Sequence, residues 1–431
     1  MSSIVQEGYQ QTEIGVIPSD WSVKKISDLA QVIRGASPRP KGDKRYYGGS
    51  VPRLMVQDVT RDGMYVTPQI DFLTEAGKKL SRPCEAGTLT LVCSGTVGVP
   101  SILAVDACIH DGFLALIKLV KGIDRDYLYQ FFKTQQEKFD NSATHGGVFT
   151  NLTTDGVREF LVPVPSQLKE QTAIANALSD VDALITSLEK LIAKKRAIKT
   201  AAMQQLLTGK KRLPPFDQAH TGYKQTDLGE IPEDWEVAKV GEKCNLLTGF
   251  PFPSSKYSES GVKLLRGSNV KRGVTDWSEG ITQYWPALTA DIRHYELKDK
   301  DIVISMDGSL VGRSFAQLSK ADLPAILLQR VARLRSNEVE VDYLKEWVCS
   351  NYFTDHCDSV KTTTAIPHIS PDDIRNFRFL APATKKEQQK IANALSDMYN
   401  EIECLYVRLT KTQQLKKGMM QELLTGRTRL V

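Results

Sequence analysis

Cationic side chains concentrate in two Gly-containing stretches of this chain, and their types suit contact with phosphate. Residues 34–47 carry Arg34, Arg39, Lys41, Lys44 and Arg45, then Tyr46 and Tyr47, among prolines and glycines. Residues 266–272 carry Arg266, Asn269, Lys271 and Arg272. Lys and Arg in flexible segments reach phosphate oxygens, whereas base edges need Arg, Asn, Gln, Ser or Thr held rigidly beside a groove. Thr362, Thr363 and His368 on one polar stretch, and His145 and Asn151 on another, have that second character. An ordinary solvated loop accounts for any one of these residues as well. A further run, Lys190, Lys194, Lys195, Arg196 and Lys199, suits phosphates, a solvated helix face or a partner surface alike.

Motifs for catalysis come close and fail. Leu213-Pro214-Pro215-Phe216 has the outline of the Asn/Asp-Pro-Pro-aromatic motif with which amino-methyltransferases hold a target amine, but leucine cannot accept that hydrogen bond. His145-Gly146-Gly147 lacks an accompanying G-x-S-x-G nucleophile elbow. The glycines near Gly95 and Gly308 form neither a dinucleotide fingerprint nor a P-loop. The six histidines are dispersed without HExxH, and the seven cysteines contain no CxxC. Such cysteines suit reduced thiols rather than a disulfide framework or a zinc site. The chain is therefore expected to bind and read, with no catalytic residue, metal or cofactor of its own.

The elements that must position these residues occur twice. Residues 9–21 return as residues 223–235, sharing Ile17-Pro18-Ser19-Asp20-Trp21 and Ile231-Pro232-Glu233-Asp234-Trp235. Residues 170–180 return as 387–397, and Leu206-Leu207-Thr208-Gly209 returns as Leu423-Leu424-Thr425-Gly426. A period this long is tandem duplication of a whole module, not a solenoid repeat. Short apolar runs at 51–56, 89–93, 102–105 and 114–119 predict strands in the first copy, and 302–305 and 326–334 in the second. Helices are expected from Asp126 and Asp342, with Phe131 and Trp347 at matching places. Thr153 and Ser370 are expected N-caps. Trp21 and Trp235 read as core anchors.

The clearest periodic signal follows each module. Ile174, Leu178, Val181, Ile185, Leu188 and Ile192 are spaced 4-3-4-3-4, and Ile391, Leu395, Met398, Ile402, Leu405 and Leu409 repeat the pattern. This is a heptad seam free of Pro and Gly, and two matched seams in one chain predict helices packed on each other. A helix of roughly 40 residues is about 60 Å long, so its length would act as a ruler.

A chain of 431 residues accommodates two to four units, and 41% hydrophobic with 25% charged residues suits a soluble globular protein. No run of 18 apolar residues or charged-then-apolar leader occurs, so neither membrane span nor secretion is expected. The net charge of +5 permits nucleic acid without requiring it.

The ordered pattern Pro165-x3-Lys169-Glu170-Gln171-x2-Ile174, repeated as Pro382-x3-Lys386-Glu387-Gln388-x2-Ile391, resembles the conserved regions of type I restriction–modification specificity subunits. So do the Ile-Pro-x-Asp-Trp openings and the Leu-Leu-Thr-Gly helix ends, and the likeness spans essentially the whole chain. It implies a mixed α/β fold with a pseudo-twofold internal repeat. Residues 1–165 and 223–382 would be target recognition domains, 166–208 and 383–426 long helices in an antiparallel coiled coil, and 209–222 a linker. It further implies that the domains read a split, asymmetric target in double-stranded DNA. The helices would set the spacer and dock two methyltransferase subunits, with restriction/translocase subunits added. S-adenosylmethionine, ATP and Mg would then sit on those cytoplasmic partners, which flip out an adenine for N6 methylation in host defence. Rival expectations are a fused reader–methyltransferase, or a duplicated coiled-coil scaffold that binds proteins without DNA specificity.

Overall fold

The computed structural model describes residues 7–142, 152–218 and 222–430. The chain divides into two compact units, Met1–Glu189 with Val407–Val431, and Lys190–Tyr406. Both unit boundaries fall inside long helices, α1 (Leu168–Leu207) and α2 (Lys385–Leu423).

In the first unit a five-stranded sheet has the order Gln31–Arg34, Phe113–Ile117, Leu89–Val92, Pro100–Leu103, Tyr65–Val66. Leu89–Val92 and Pro100–Leu103 are buried at every position, so both faces of these strands are covered and the sequence is apolar rather than alternating. Thr90, within that run, shares a hydrogen bond with Ser101 across the strands at 2.7 Å, which satisfies both buried hydroxyls. A second sheet orders Asp71–Leu73, Tyr47–Leu54, Ala107–Ile109 and Arg82–Cys84.

The second unit builds the same five-stranded order from Asn245–Thr248, Val331–Arg335, Ile302–Ser305, Phe315–Gln317 and Arg272–Gly273. Its second sheet has three strands, Tyr284–Trp285, Val262–Leu265 and Ala325–Leu327. The apolar run 326–334, expected as one strand, is two, Ala325–Leu327 and Val331–Arg335, one in each sheet. The chain turns between them at Arg330, whose φ of 70° ends the extended conformation.

Local signals and local structure agree at the caps. Thr153 Oγ1 accepts from Gly156 N at 3.0 Å. Ser370 Oγ accepts from Asp373 N at 3.1 Å while the Asp373 carboxylate accepts from Ser370 N at 2.7 Å, a closed capping box. The expected helices run Arg125–Thr134 and Val341–Val348. In each, a fully buried tyrosine donates to a strand carbonyl at 2.7 Å, Tyr127 to Pro163 and Tyr343 to Leu380.

Within each unit the stretches of α1 and α2 run antiparallel. In the first unit Asp182 of α1 accepts from Lys416 of α2. In the second, Lys195 pairs with Glu401 at 2.6 Å and Lys199 lies 4.9 Å over the Tyr399 ring. The seam residues divide by position. Ile174 and Leu178 join the first unit's core, and Ile391 and Leu395 the second's, so the start of each seam packs on its own globular part. Met398 packs at the edge of the second core, and Leu188, Ile192 and Ile402 are buried. Val181, Ile185, Leu405 and Leu409 are only half-buried.

The repeated edge motifs meet in space. Leu423 and Leu424 complete the first unit's core, and Leu206 and Leu207 the second's. Gly426 turns at φ 70° where a Cβ would stand 2.5 Å from Pro18, and Gly209 does the same at φ 71° against Pro232. Beyond those turns Arg429 pairs with Asp20 at 2.9 Å, and Arg212 with Asp234 at 2.9 Å. The same arginines reach Glu170 and Glu387 of the Lys-Glu-Gln motifs. The neighbouring glutamines tie helix to strand: Gln171 accepts from Asp124 N at 2.8 Å and donates to Pro165 O at 3.0 Å. Gln388 accepts from Glu340 N at 2.9 Å and donates to Pro382 O at 2.9 Å. The motifs are thus a frame, and Trp21 and Trp235, 2% and 1% exposed, are its core anchors.

Candidate nucleic-acid interface

The loop after strand Gln31–Arg34 must pass close to a neighbouring backbone. A Cβ at Gly35 would lie 2.1 Å from the His110 carbonyl, and one at Gly249 would lie 2.1 Å from that of Leu328. Only glycine permits this approach in either repeat. Past Gly35 the chain borders a cleft of about 860 Å³ that Arg34, Arg39, Lys41, Tyr47, Arg53 and His110 help to line. Three of the cations expected from sequence to contact phosphate therefore meet on one concavity.

Within this cleft the charges are partly spoken for. Arg34 Nε donates to the Asp111 carbonyl at 3.0 Å, and Arg39 stands 3.6 Å from the Asp111 carboxylate. A hydrogen bond from Ser37 holds the Asp111 carboxyl below its usual range. Lys41 and Lys44 are exposed. Arg45 pairs with Asp43 at 2.7 Å and stacks 5.3 Å over Tyr46.

Arg53 and His110 were not expected from sequence. Arg53, 5% exposed, ion-pairs with Asp71 and donates to Ser37 Oγ at 2.9 Å. Burial, and then the charge of Arg53, pushes the His110 imidazole below its usual value. Its Nδ1 accepts from Gly112 N at 2.9 Å, so the neutral ring carries its hydrogen on Nε2. That Nε2 is buried with no partner among the described residues, a donor in want of an acceptor. The residues lie in or beside apolar strands, where the sequence signalled core.

In the second unit the basic cluster resolves differently. Arg266 turns inward and donates to the Ile281 carbonyl. Asn269 is fully buried; its Oδ1 accepts from Arg266 N at 3.1 Å and its Nδ2 donates to Asp276 O at 2.9 Å. These two residues hold a turn together: the short Asn269 amide pairs with nearby backbone, while Arg266 stays half-exposed. Lys271 is 3.8 Å from Asp276, and Arg272 is exposed.

Thr362 and His368 come together on one surface. Thr362 Oγ1 lies 3.0 Å from His368 Nδ1 and accepts from His368 N at 3.0 Å, with exposed Thr363 beside them. Asp307 bridges to His368, and Arg330, 63% exposed in its side chain, pairs with Asp307 at 2.9 Å. His145 and Asn151 lie outside the described residues.

The cations on α1 also divide. Lys195 pairs with Glu401 at 2.6 Å, and Arg196 and Lys199 each lie 4.9 Å over a tyrosine ring, Tyr406 and Tyr399. Lys190 and Lys194 are exposed. Arg196, Lys199 and Arg272 line a cleft of about 530 Å³ with Lys345 and the buried Glu346, which pair at 2.7 Å. At the matching place in the first unit, Lys133 and Lys416 converge on Asp182.

Among the described residues no group of three or more His, Cys, Asp and Glu is placed to hold a metal, and no helix is long and apolar enough to cross a membrane. Duplicated mixed sheets, each carrying a basic or polar loop surface on a helical frame, define a two-module recognition protein. The model of the family described as "Type I restriction modification DNA specificity domain" matches residues 18–199 and again 232–412. The chain belongs to that family, as a non-catalytic component that recognises a DNA target.

Similar proteins agree along its length. It is 28% identical over 435 residues to the type I restriction enzyme MjaVIII specificity subunit of Methanocaldococcus jannaschii, covering 99% of this chain and 97% of that one. The MjaIX specificity subunit of the same organism is 24% identical, covering 98% and 96%. The crystal structure of a type I restriction–modification S subunit from M. genitalium superposes with a TM-score of 0.59 at 16% identity, covering 94% of this chain and 96% of that one.

Proposed function

We propose that this chain reads a split, asymmetric sequence in double-stranded DNA, one half with each unit, as the specificity component of a type I restriction–modification complex. The observation that carries this is the repeat itself. Two units share one five-stranded order, yet present different loops: a cleft with Arg39 and Lys41 in one, and a Thr362–His368 surface in the other. Equal frames with unequal loops suit unequal half-sites. Phosphate contacts would fix register, and the loops would read bases.

In this proposal α1 and α2 set the unread spacer, and two methyltransferase subunits and restriction/translocase subunits dock on the chain in the cytoplasm. S-adenosylmethionine, ATP and Mg belong to those partners. The test is base-modification sequencing of the host genome with this gene intact and deleted. A split methyladenine motif should vanish on deletion and give both half-sites at once. Retention of every motif, with flat salt dependence of binding to duplex DNA, would leave the protein-binding scaffold as the better account.

A further inference from the structure

The two units differ at one loop by a single inserted residue. Between paired positive-φ glycines, the first repeat has Gly95-Thr96-Val97-Gly98 and the second Gly308-Ser309-Leu310-Val311-Gly312. Both ends are anchored alike. A Cβ at Gly98 would stand 2.8 Å from Phe139, and one at Gly312 would stand 2.6 Å from Cys357. Val97 and Val311 are 2% and 1% exposed, so the core residue is kept in both copies. The extra residue, Leu310, is instead 57% exposed.

Ile366, on the adjacent loop, is 67% exposed. The two loops are tied through Gly308 N donating to Pro367 O at 2.9 Å and by the bridge between Asp307 and His368. Each apolar residue also has its own backbone held. Leu310 O accepts from Arg313 N at 2.9 Å, and Ile366 O accepts from Thr364 Oγ1 at 2.8 Å. A large aliphatic side chain left in water on a backbone already ordered is poised for contact at little further entropic cost. Thr362, Thr363, His368 and Arg330, the polar groups suited to a nucleic acid, stand on the same loops or next to them.

We propose that Leu310 and Ile366 form an apolar wedge that enters a groove of duplex DNA and packs on the bases of the half-site read by the second unit. This rests on the DNA-reading function above. Apolar side chains meet bases either at thymine methyl groups or between unstacked base pairs. The inserted leucine has no counterpart between Gly95 and Gly98, so at this loop the second unit presents an exposed apolar group that the first does not.

The test uses the full chain, in complex with the methyltransferase subunit proposed above as its partner, and a pool of random-sequence duplexes. The double variant Leu310→Ala, Ile366→Ala should relax base preference in one half-site only and weaken binding about tenfold or more. Its slope of affinity against salt should not change, because no cation is lost. Leu310→Met, Ile366→Leu should retain selection, and the melting temperature of both variants should match the parent. Uracil in place of thymine, and 2-aminopurine as a reporter of unstacking, distinguish methyl contact from wedging. An alanine variant that selects the same motif with unchanged affinity overturns the wedge. A parent protein that selects no motif from the pool sinks the DNA-reading function itself.

Discussion

Arg429 donates to Glu170 at 2.5 Å across 259 positions of sequence, and Arg212 repeats the contact with Glu387 at 2.8 Å across 175. Each glutamate opens one long helix, and each arginine follows the end of the other. Every globular part is thus sealed by the tail of the helix that belongs to the other repeat. Glu170 is 1% exposed and also accepts from Trp21 Nε1 at 3.2 Å. Removing one partner from a buried ion pair strands the other, at about 3 kcal/mol. Arg429→Ala should destabilise the first unit, and Arg212→Ala the second, by that amount. Urea unfolding followed by hydrogen exchange in each unit would check this, and equal loss across both units would count against separate seals.

Protonation of His110 should act on the fold. The folded ring titrates below its ordinary value near 6.5 because it is buried beside Arg53, so the unfolded chain binds a proton more readily. The stability this contributes is present above that ordinary value and is lost as pH falls from it toward the folded value. The urea midpoint of the parent should drop more between about pH 7.5 and pH 5 than that of His110→Gln. Parallel curves for the two proteins would show that the ring is already free to charge.

Lys41 is exposed at the mouth of the first unit's cleft. Lys41→Ala should weaken duplex binding by a similar factor for all sequences and reduce the salt slope by about 1. A change in the selected motif, with the slope intact, would instead place this lysine at a base edge.

Thiol chemistry should single out one cysteine. Cys404 is exposed, whereas burial pushes Cys244, Cys349 and Cys357 up to about 12 and Cys84 and Cys93 up to about 11. Only thiolate attacks a maleimide, so one equivalent should label quickly at neutral pH and map to Cys404. Fast labelling of Cys349 would mean that the second unit opens at the cleft beside it.

The frame was legible because its signals are local or repeated. The caps at Thr153 and Ser370 depend on residues three positions away, and the helical seams on spacings of three and four. Duplication marked the Ile-Pro-x-Asp-Trp and Leu-Leu-Thr-Gly motifs as important but could not say that they touch. The interface was only half legible. Arg39 and Lys41 do line a cleft, yet Asn269 and Arg266, equally polar in sequence, turn inward to backbone partners.

By itself, then, the sequence determined two copies of one module, their helices and caps, and the absence of catalytic motifs, since these follow from residue type and short spacing. Tertiary structure alone decided which helix tail seals which core, that Arg53 and His110 share a cleft with Arg34, Arg39 and Lys41, and that Leu310 faces water while Val311 does not. Those outcomes depend on which surfaces meet across hundreds of residues, and burial, which sets the state of a charge or the use of an apolar side chain, exists only once they have met.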